Sequence, residues 1–596
     1  IPELKRGAWH LRLGDLLLEN ASPSVLEEML FVVVDQLNRG RALIEDDVDK
    51  RLDLAKLNMR AGKKAISSAT FTSAASYLKE GILLLPPNHW NDDYVLSLDL
   101  HCCYAETQHC NGNFLELTDV VNTIIKKSRT FYDKLRAYAT LIDALVAQEK
   151  SSEAADLGFD VLAHLGESFP DSTPDESMIF ADYTKTKQMI ETKTDDMLLN
   201  LHLMQDKNKV AAMQFLKSMF FCTYFFKQEF LPLTTFRMTQ VSLSHGVCKE
   251  SPFAFAGYGM FCCIFGDIKA GYRYGQLAIG LLERLKSLGQ ESFARVYISV
   301  YAGINIWNEH IKLTLDPLLQ GYRCGLRVGD NEYSMANVQT YCTHSYQCGK
   351  ELSLLEKELK AYSQQMFEFK QVIVGQLTTI HRQAVLNLMG CSKDPTQLTG
   401  DAMDQEMLLR DATENKNSLL VCLVYFHRMR LAYTFGDYHL AAEMAEKSRD
   451  IDRKKPSTIE VWMHAFYDGL TALALAHQTK QMKWMFIADE SIKKLKKWSL
   501  HAPSNFQHQQ VLLEAEYAFF MGKKKKASTA YELSISLARQ NGFIQDQALA
   551  CERAAIFFFE YDDKSKASIL YGEAHNCYLS WGAKGKADQI REQSPF

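Results

Sequence analysis

The densest group of metal-ligating residue types in the chain is His101, Cys102, Cys103, His109 and Cys110. Zinc needs about four such ligands converging on one point. On a helix, His101 and Cys102 point to different faces, and Cys103 and Cys110 share a face two turns apart. The group is therefore expected to line a packed helix ahead of the turn at Gly112, with no metal bound. A phosphate-binding loop needs glycines where backbone faces phosphate, and a Lys-Ser/Thr pair opening a helix. Gly62-Lys63-Lys64 has Leu57 where the first glycine belongs and no hydroxyl after the lysine, and Gly522-Lys523 fails in the same way. No H-E-x-x-H, G-x-S-x-G, H-R-D or D-F-G set occurs. The expectation is a segment with no catalytic residues, no cofactor and no enzyme activity of its own.

Charge that could meet a partner is scattered. Lys523 to Lys526 form a run of four, and Lys493, Lys494, Lys496 and Lys497 flank Leu495 and Trp498. Both read as solvated faces, the second with lysine stems covering apolar surface. A formal net charge of −5 gives no electrostatic reason for nucleic-acid binding. The tryptophans at 90, 307, 462, 484, 498 and 581 read as core anchors.

Helices must position whatever the chain binds. Proline is scarce at 13 in 596 residues, and apolar residues recur with helical period almost throughout. Gly112-Asn113, Gly266-Asp267, Gly329-Asp330 and Gly436-Asp437 each separate two helical runs, with a glycine to end the first and an acid or amide to cap the second. Between Asn58 and Pro86, small residues at Gly62, Ala74 and Gly81 predict two closely packed antiparallel helices, at the spacing of a tetratricopeptide repeat. Weaker copies carry Ala154, Ala441, Ala527 and Ala567 at the small-residue position of the second helix. The predicted fold is all-α, an irregular α-solenoid of tetratricopeptide-like helix pairs.

The spacing of Leu352, Leu355, Leu359, Tyr362, Met366, Phe369, Ile373 and Ile380 predicts one long central helix over 351–389, about 58 Å at 1.5 Å per residue. It reads as a helix packed along the array or, more sharply, as a coiled-coil seam through which the chain dimerises. The polar stretch 390–417, with Pro395 and Gly400, is the expected linker. The expected domains are an N-terminal helical cap (1–50), a first array (51–389), that linker, and a second array (418–596).

The 14 cysteines include adjacent pairs and no C-x-x-C, which suits a reducing, cytoplasmic setting. The apolar runs are too short to span a bilayer, so no membrane is expected. The chain opens with Ile1-Pro2, and the expectation is a piece of a longer protein.

Three stretches together resemble a known family: Leu54-Ala55-Lys56-Leu57-Asn58-Met59-Arg60-Ala61-Gly62-Lys63-Lys64-Ala65 with Tyr77-Leu78 and Gly81 after it, Asp35-Gln36-Leu37-Asn38-Arg39-Gly40, and Tyr571 through Ala574 and Tyr578 to Trp581-Gly582-Ala583. They look like the tetratricopeptide-like region of large multi-domain signalling kinases. In that family an AAA/STAND-type ATPase precedes the region, and a GAF sensor and a histidine kinase or other output module often follow it. The resemblance runs from about Leu11 to Ala587 and is looser in the middle, where Phe265-Gly266-Asp267-Ile268 and Gly321-Tyr322 carry it. It implies that residues 1–50 end the ATPase module, that partners are proteins or neighbouring domains, and that no catalytic residue falls here. The alternative is a free-standing tetratricopeptide adaptor. Projecting the carboxylate clamp of such adaptors gives Met59, Lys63, Cys103, Arg136 and Thr140, with two basic residues of five, so that clamp is not supported. For another mode of peptide binding the candidate residues are Asn58, Lys63 and Arg136.

Overall fold

Every regular element in the computed structural model, which describes residues 3–596 except 69, 149, 226, 289 and 416, is a helix. The described residues form two units: 1–190 with 203–246, and 191–202 with 247–596. Numbering helices of ten or more residues, the first unit holds α1 (Glu3–Asn20), α2 (Pro23–Arg39), α3 (Val48–Ser67), α4 (Phe71–Leu84), α5 (Tyr94–Cys110), α6 (Phe114–Lys127), α7 (Phe131–Ala147), α8 (Ser151–His164) and α9 (Glu176–Glu191). It is completed by α10 (Lys207–Phe225) and α11 (Leu231–His245). The second unit runs through α12 (Ser251–Ile264), α13 (Ile268–Leu285), α14 (Phe293–Gly303), α15 (Leu315–Val328), α16 (Asn331–Gln347), α17 (Leu352–Glu368), α18 (Val372–Leu388), α19 (Gln405–Glu414), α20 (Ser418–Thr434) and α21 (Tyr438–Lys447). It ends in α22 (Ile459–Thr479), α23 (Lys483–Ser499), α24 (Pro503–Phe520), α25 (Lys524–Gln540), α26 (Ile544–Glu560), α27 (Lys564–Trp581) and α28 (Lys584–Gln593).

The expected stops make these pairs. Gly329 and Gly436 sit at φ 79° and 88°, a region that costs a side chain a Cβ clash and glycine nothing. Asp330 and Asp437 then accept the backbone N–H groups of Tyr333 and Leu440, satisfying donors that the new helix leaves free. Asn113 behaves differently, since its amide donates to Gln108 Oε1 at 2.7 Å and caps nothing. Within α3–α4 a Cβ at Gly62 would lie 2.6 Å from Leu78 Cγ, so only glycine allows this approach. Ala74 and Leu78 are fully buried there, and Ala154, Ala441, Ala527 and Ala567 are fully buried in α8, α21, α25 and α27. In the first unit one apolar core runs across successive pairs, through Val33, Leu54, Leu78 and Leu100. The all-α helical-repeat architecture is thus as expected.

The long central helix is not present. α17 ends at Glu368, α18 begins at Val372, and the two fold back on each other: Phe367 lies against Gly375, Met366 meets Thr378, and Arg382 pairs with Glu356 at 2.8 Å. Lys370 makes the turn at φ 58°, with Gln371 N–H donating to the Met366 carbonyl. A left-handed lysine leaves no glycine or proline to be read as a stop. Leu352, Leu355, Leu359 and Met366 are fully buried in the chain's own core, so the expected dimer seam loses its basis. Residues 390–417 lie inside the second unit. Asn387 donates to the Pro395 and Gln397 carbonyls, and α19 forms within the stretch.

The second unit buries ionic groups among its helices. Arg553 on α26 forms a bidentate pair with Glu516 on α24, at 2.9 and 2.8 Å. The Tyr531 hydroxyl donates to Glu516 at 2.7 Å, and Arg553 also donates to the Tyr438 hydroxyl at 3.0 Å. Burial pushes the Glu516 carboxyl up, and the guanidinium and phenol overcome this, holding it below the usual carboxylate range.

Candidate functional site

The three sequence candidates sit on α3 and α7 of the first unit, with α5 between them in chain order. Their environments differ. Asn58 has no exposed surface. Its amide donates to Asn38 Oδ1 at 2.8 Å and to the Leu54 carbonyl at 3.0 Å, while Asn38 donates back to Asn58 Oδ1 at 2.9 Å. It joins α2 to α3 and offers a partner no surface.

Lys63 and Arg136 are exposed and belong to one row. Lys63 Nζ lies 3.3 Å from Asp99 Oδ2, and Arg136 Nη1 lies 3.5 Å from Asp99 Oδ1. Arg136 also holds Glu106 through Nε at 2.5 Å and Nη2 at 2.8 Å. Asp99, Cys103 and Glu106 recur at i, i+4 and i+7 of α5, which puts them on one face. The row Lys63, Asp99, Arg136, Glu106 alternates in sign and sums to zero. Burial lowers the Arg136 pKa and the Glu106 carboxylate more than offsets this, so the guanidinium stays charged. An incoming carboxylate would meet both cations already paired with acids. Thr140 and Cys103, projected for that clamp, are buried, and the Thr140 hydroxyl donates to the Arg136 carbonyl.

The acids of this row escaped sequence reasoning, which searched for bases. The signal was there: Asp99 and Glu106 flank Cys103 at helical spacing. Elsewhere in the first unit, Asp35, Arg39, Arg41, Tyr77 and Glu80 line an open polar cleft of about 480 Å³. Its ion pair is Arg41 with Glu80, and the Tyr77 hydroxyl donates to Asp35 at 2.9 Å.

The metal-like group packs as a helix wall. His101 donates from Nδ1 to the Ser97 carbonyl at 2.7 Å, and its ring lies 4.8 Å from that of Trp90. Burial pushes the imidazole down and the Cys102 thiol up to about 12, opposing the thiolate that a metal requires. No group of three or more His, Cys, Asp and Glu side chains among the described residues is placed to share a metal ion. Lys523 to Lys526 are exposed at the start of α25, with Lys524 over the Tyr561 ring at 4.6 Å. Lys493, Lys494, Lys496 and Lys497 are exposed around a fully buried Leu495. Among the described residues no helix is long and apolar enough to cross a membrane.

No family model matches the chain. It is similar to "Hybrid signal transduction histidine kinase G" of Dictyostelium discoideum, at 21% identity over 397 residues, which is 62% of this chain and 12% of that protein. The chain therefore spans a small part of that relative's length. Among solved structures, yeast Tom70 aligns over 95% of this chain and 99% of its own, at 12% identity and a TM-score of 0.27. A circular tandem repeat protein aligns over 95% and 99%, at 10% identity and a TM-score of 0.13.

Proposed function

We propose that this chain is a non-catalytic helical-repeat scaffold that holds a protein partner or neighbouring domains, and that it works in the cytoplasm inside a large signal-transduction protein of the ATPase and histidine-kinase kind. The kinase context is supported by the sequence resemblance, strongest at 31–85 and 500–585, and by the partial likeness to the Dictyostelium kinase. The scaffold role is supported by one observation above others. Successive first helices α3, α5 and α7 present an exposed row of alternating charge at Lys63, Asp99, Arg136 and Glu106. Exposed ion pairs are worth about 0–1 kcal/mol each, so a partner with its own alternating charges exchanges with them at little cost. Lys63 and Arg136 are the proposed contacts, and Asn58 acts by holding α3 against α2.

The test is quantitative crosslinking and pulldown with the full chain, comparing wild type with Lys63→Glu plus Arg136→Glu. The double reversal puts four negative charges in a row, and loss of a defined partner or flanking-domain contact is expected. An unchanged set of contacts overturns the assignment of these residues. The full reading frame tests the context. A phosphate-binding-loop ATPase upstream and a GAF or kinase signature downstream are expected. Start and stop codons directly flanking the chain would favour the free-standing adaptor instead.

A further inference from the structure

Among the described residues the second unit fully or nearly buries three arginines, Arg382, Arg430 and Arg553, at 7, 9 and 6% exposure. Arg382 carries Glu356 and Asp401, and Arg553 carries Glu516. Arg430, on α20, has no carboxylate of the described residues within ion-pair distance. It is enclosed by the rings of Tyr346 on α16, Tyr467 on α22 and Phe426, at 4.7, 5.4 and 5.6 Å from their centres. Those faces favour a cation but do not neutralise it. An unpaired buried charge is among the most costly groups a core can hold.

Arg430 lines a cavity of about 20 Å³ together with Tyr346, Gln347, His381, His427 and Glu460. Three nitrogens of that wall have no hydrogen-bond partner among the described residues: Arg430 Nε, Gln347 Nε2 and His381 Nε2. The first two only donate, and the third donates in one tautomer. The remaining charges around the cavity are already matched. The Glu460 carboxylate takes the Lys455 ammonium. Asp546, whose charge reaches Arg430 from α26, is held by His508 and Gln509 at 2.7 and 2.8 Å. Burial keeps His381 and His427 neutral. What remains is one positive charge and a set of N–H donors around a space for one water-sized particle, since about 10–15 Å³ suffices for a water.

We propose that this cavity is a binding site for a monatomic halide, chloride in the cell, with Arg430 as its counter-charge and the Gln347 amide and His381 imidazole as further donors. A water satisfies the donors but leaves the charge. Phosphate, carboxylate ligands and nucleotides exceed the space. The bound ion would tie α16, α18, α20 and α22 together, so halide occupancy would stiffen the middle of the second unit.

Two measurements test this with the full chain. Crystals soaked in bromide should show an anomalous peak against Arg430 inside the cavity, absent from Arg430→Met. A water there with no bromide signal, or a peak that persists in Arg430→Met, overturns the proposal. In thermal unfolding at constant ionic strength, replacing gluconate by chloride should raise the wild-type midpoint saturably and leave Arg430→Met unmoved. In gluconate alone the variant should be at least as stable as wild type, because it removes an uncompensated charge. Equal chloride responses of the two proteins would also overturn the assignment.

Discussion

Acidification from pH 7 to pH 5 should destabilise the second unit strongly, through histidines buried in neutral form. Burial drives His344 and His381 down to about 3 and His464 to about 4. A histidine in the unfolded chain titrates near ~6.5. A folded pKa below the unfolded one gives stability that is complete above ~6.5 and is lost as pH falls toward the folded value. Over the two units from pH 7 to pH 5 each such histidine loses about 1.9 kcal/mol. The loss barely depends on where below 5 the folded pKa lies. The three together amount to on the order of 5–6 kcal/mol. Five tryptophans, Trp307, Trp462, Trp484, Trp498 and Trp581, belong to this unit, so tryptophan fluorescence reports it. At an m-value of ~3 kcal/mol per molar, the urea midpoint should fall by about 1.5–2 M between pH 7 and pH 5. His381→Gln should remove about a third of that fall. Identical midpoints at the two pH values would refute neutral burial of these rings.

Other expectations concern single contacts. Lys370→Gly should raise stability by about 1 kcal/mol, measured by denaturant midpoint, because glycine meets no Cβ clash in the left-handed turn. Glu516→Ala should cost about 3–5 kcal/mol by leaving the Arg553 charge buried alone, whereas Glu516→Leu with Arg553→Met should be near neutral. Gly62→Ala should cost about 1–3 kcal/mol, since the added carbon falls on the Leu78 side chain and separates α3 from α4.

Much of the architecture is legible in the residues where the cause is local. Gly329-Asp330 and Gly436-Asp437 carry both the stop and the cap in adjacent positions, so the helix pairs follow from backbone chemistry alone. The turn at Lys370 is invisible for the opposite reason. Its conformation is held by packing, Phe367 against Gly375 and Arg382 on Glu356, while the 3-4 apolar spacing continues through it. The paired charges were half legible: Lys63 and Arg136 stand out as bases, but their neutralisation by Asp99 and Glu106 depends on which helices stack. The buried polar core is the least legible part. On α20, Phe426, His427, Arg430 and Tyr433 follow helical spacing, and nothing in that pattern says whether the face meets solvent or three other helices.

The reciprocal amides of Asn38 and Asn58 bear on how such a chain evolves. Repeat proteins lengthen by copying a unit and inserting the copy elsewhere, which works when junctions are interchangeable. The junction between α2 and α3 is not. A copy of α3–α4 moved behind a helix with an apolar residue in the place of Asn38 would bring a buried carboxamide against hydrocarbon, and that mismatch costs ~1–3 kcal/mol per unsatisfied group. The matching pair thus acts as an address label for the N-terminal end, admitting one order of assembly and resisting recombination there, while junctions built from alanine and leucine alone stay free to be shuffled.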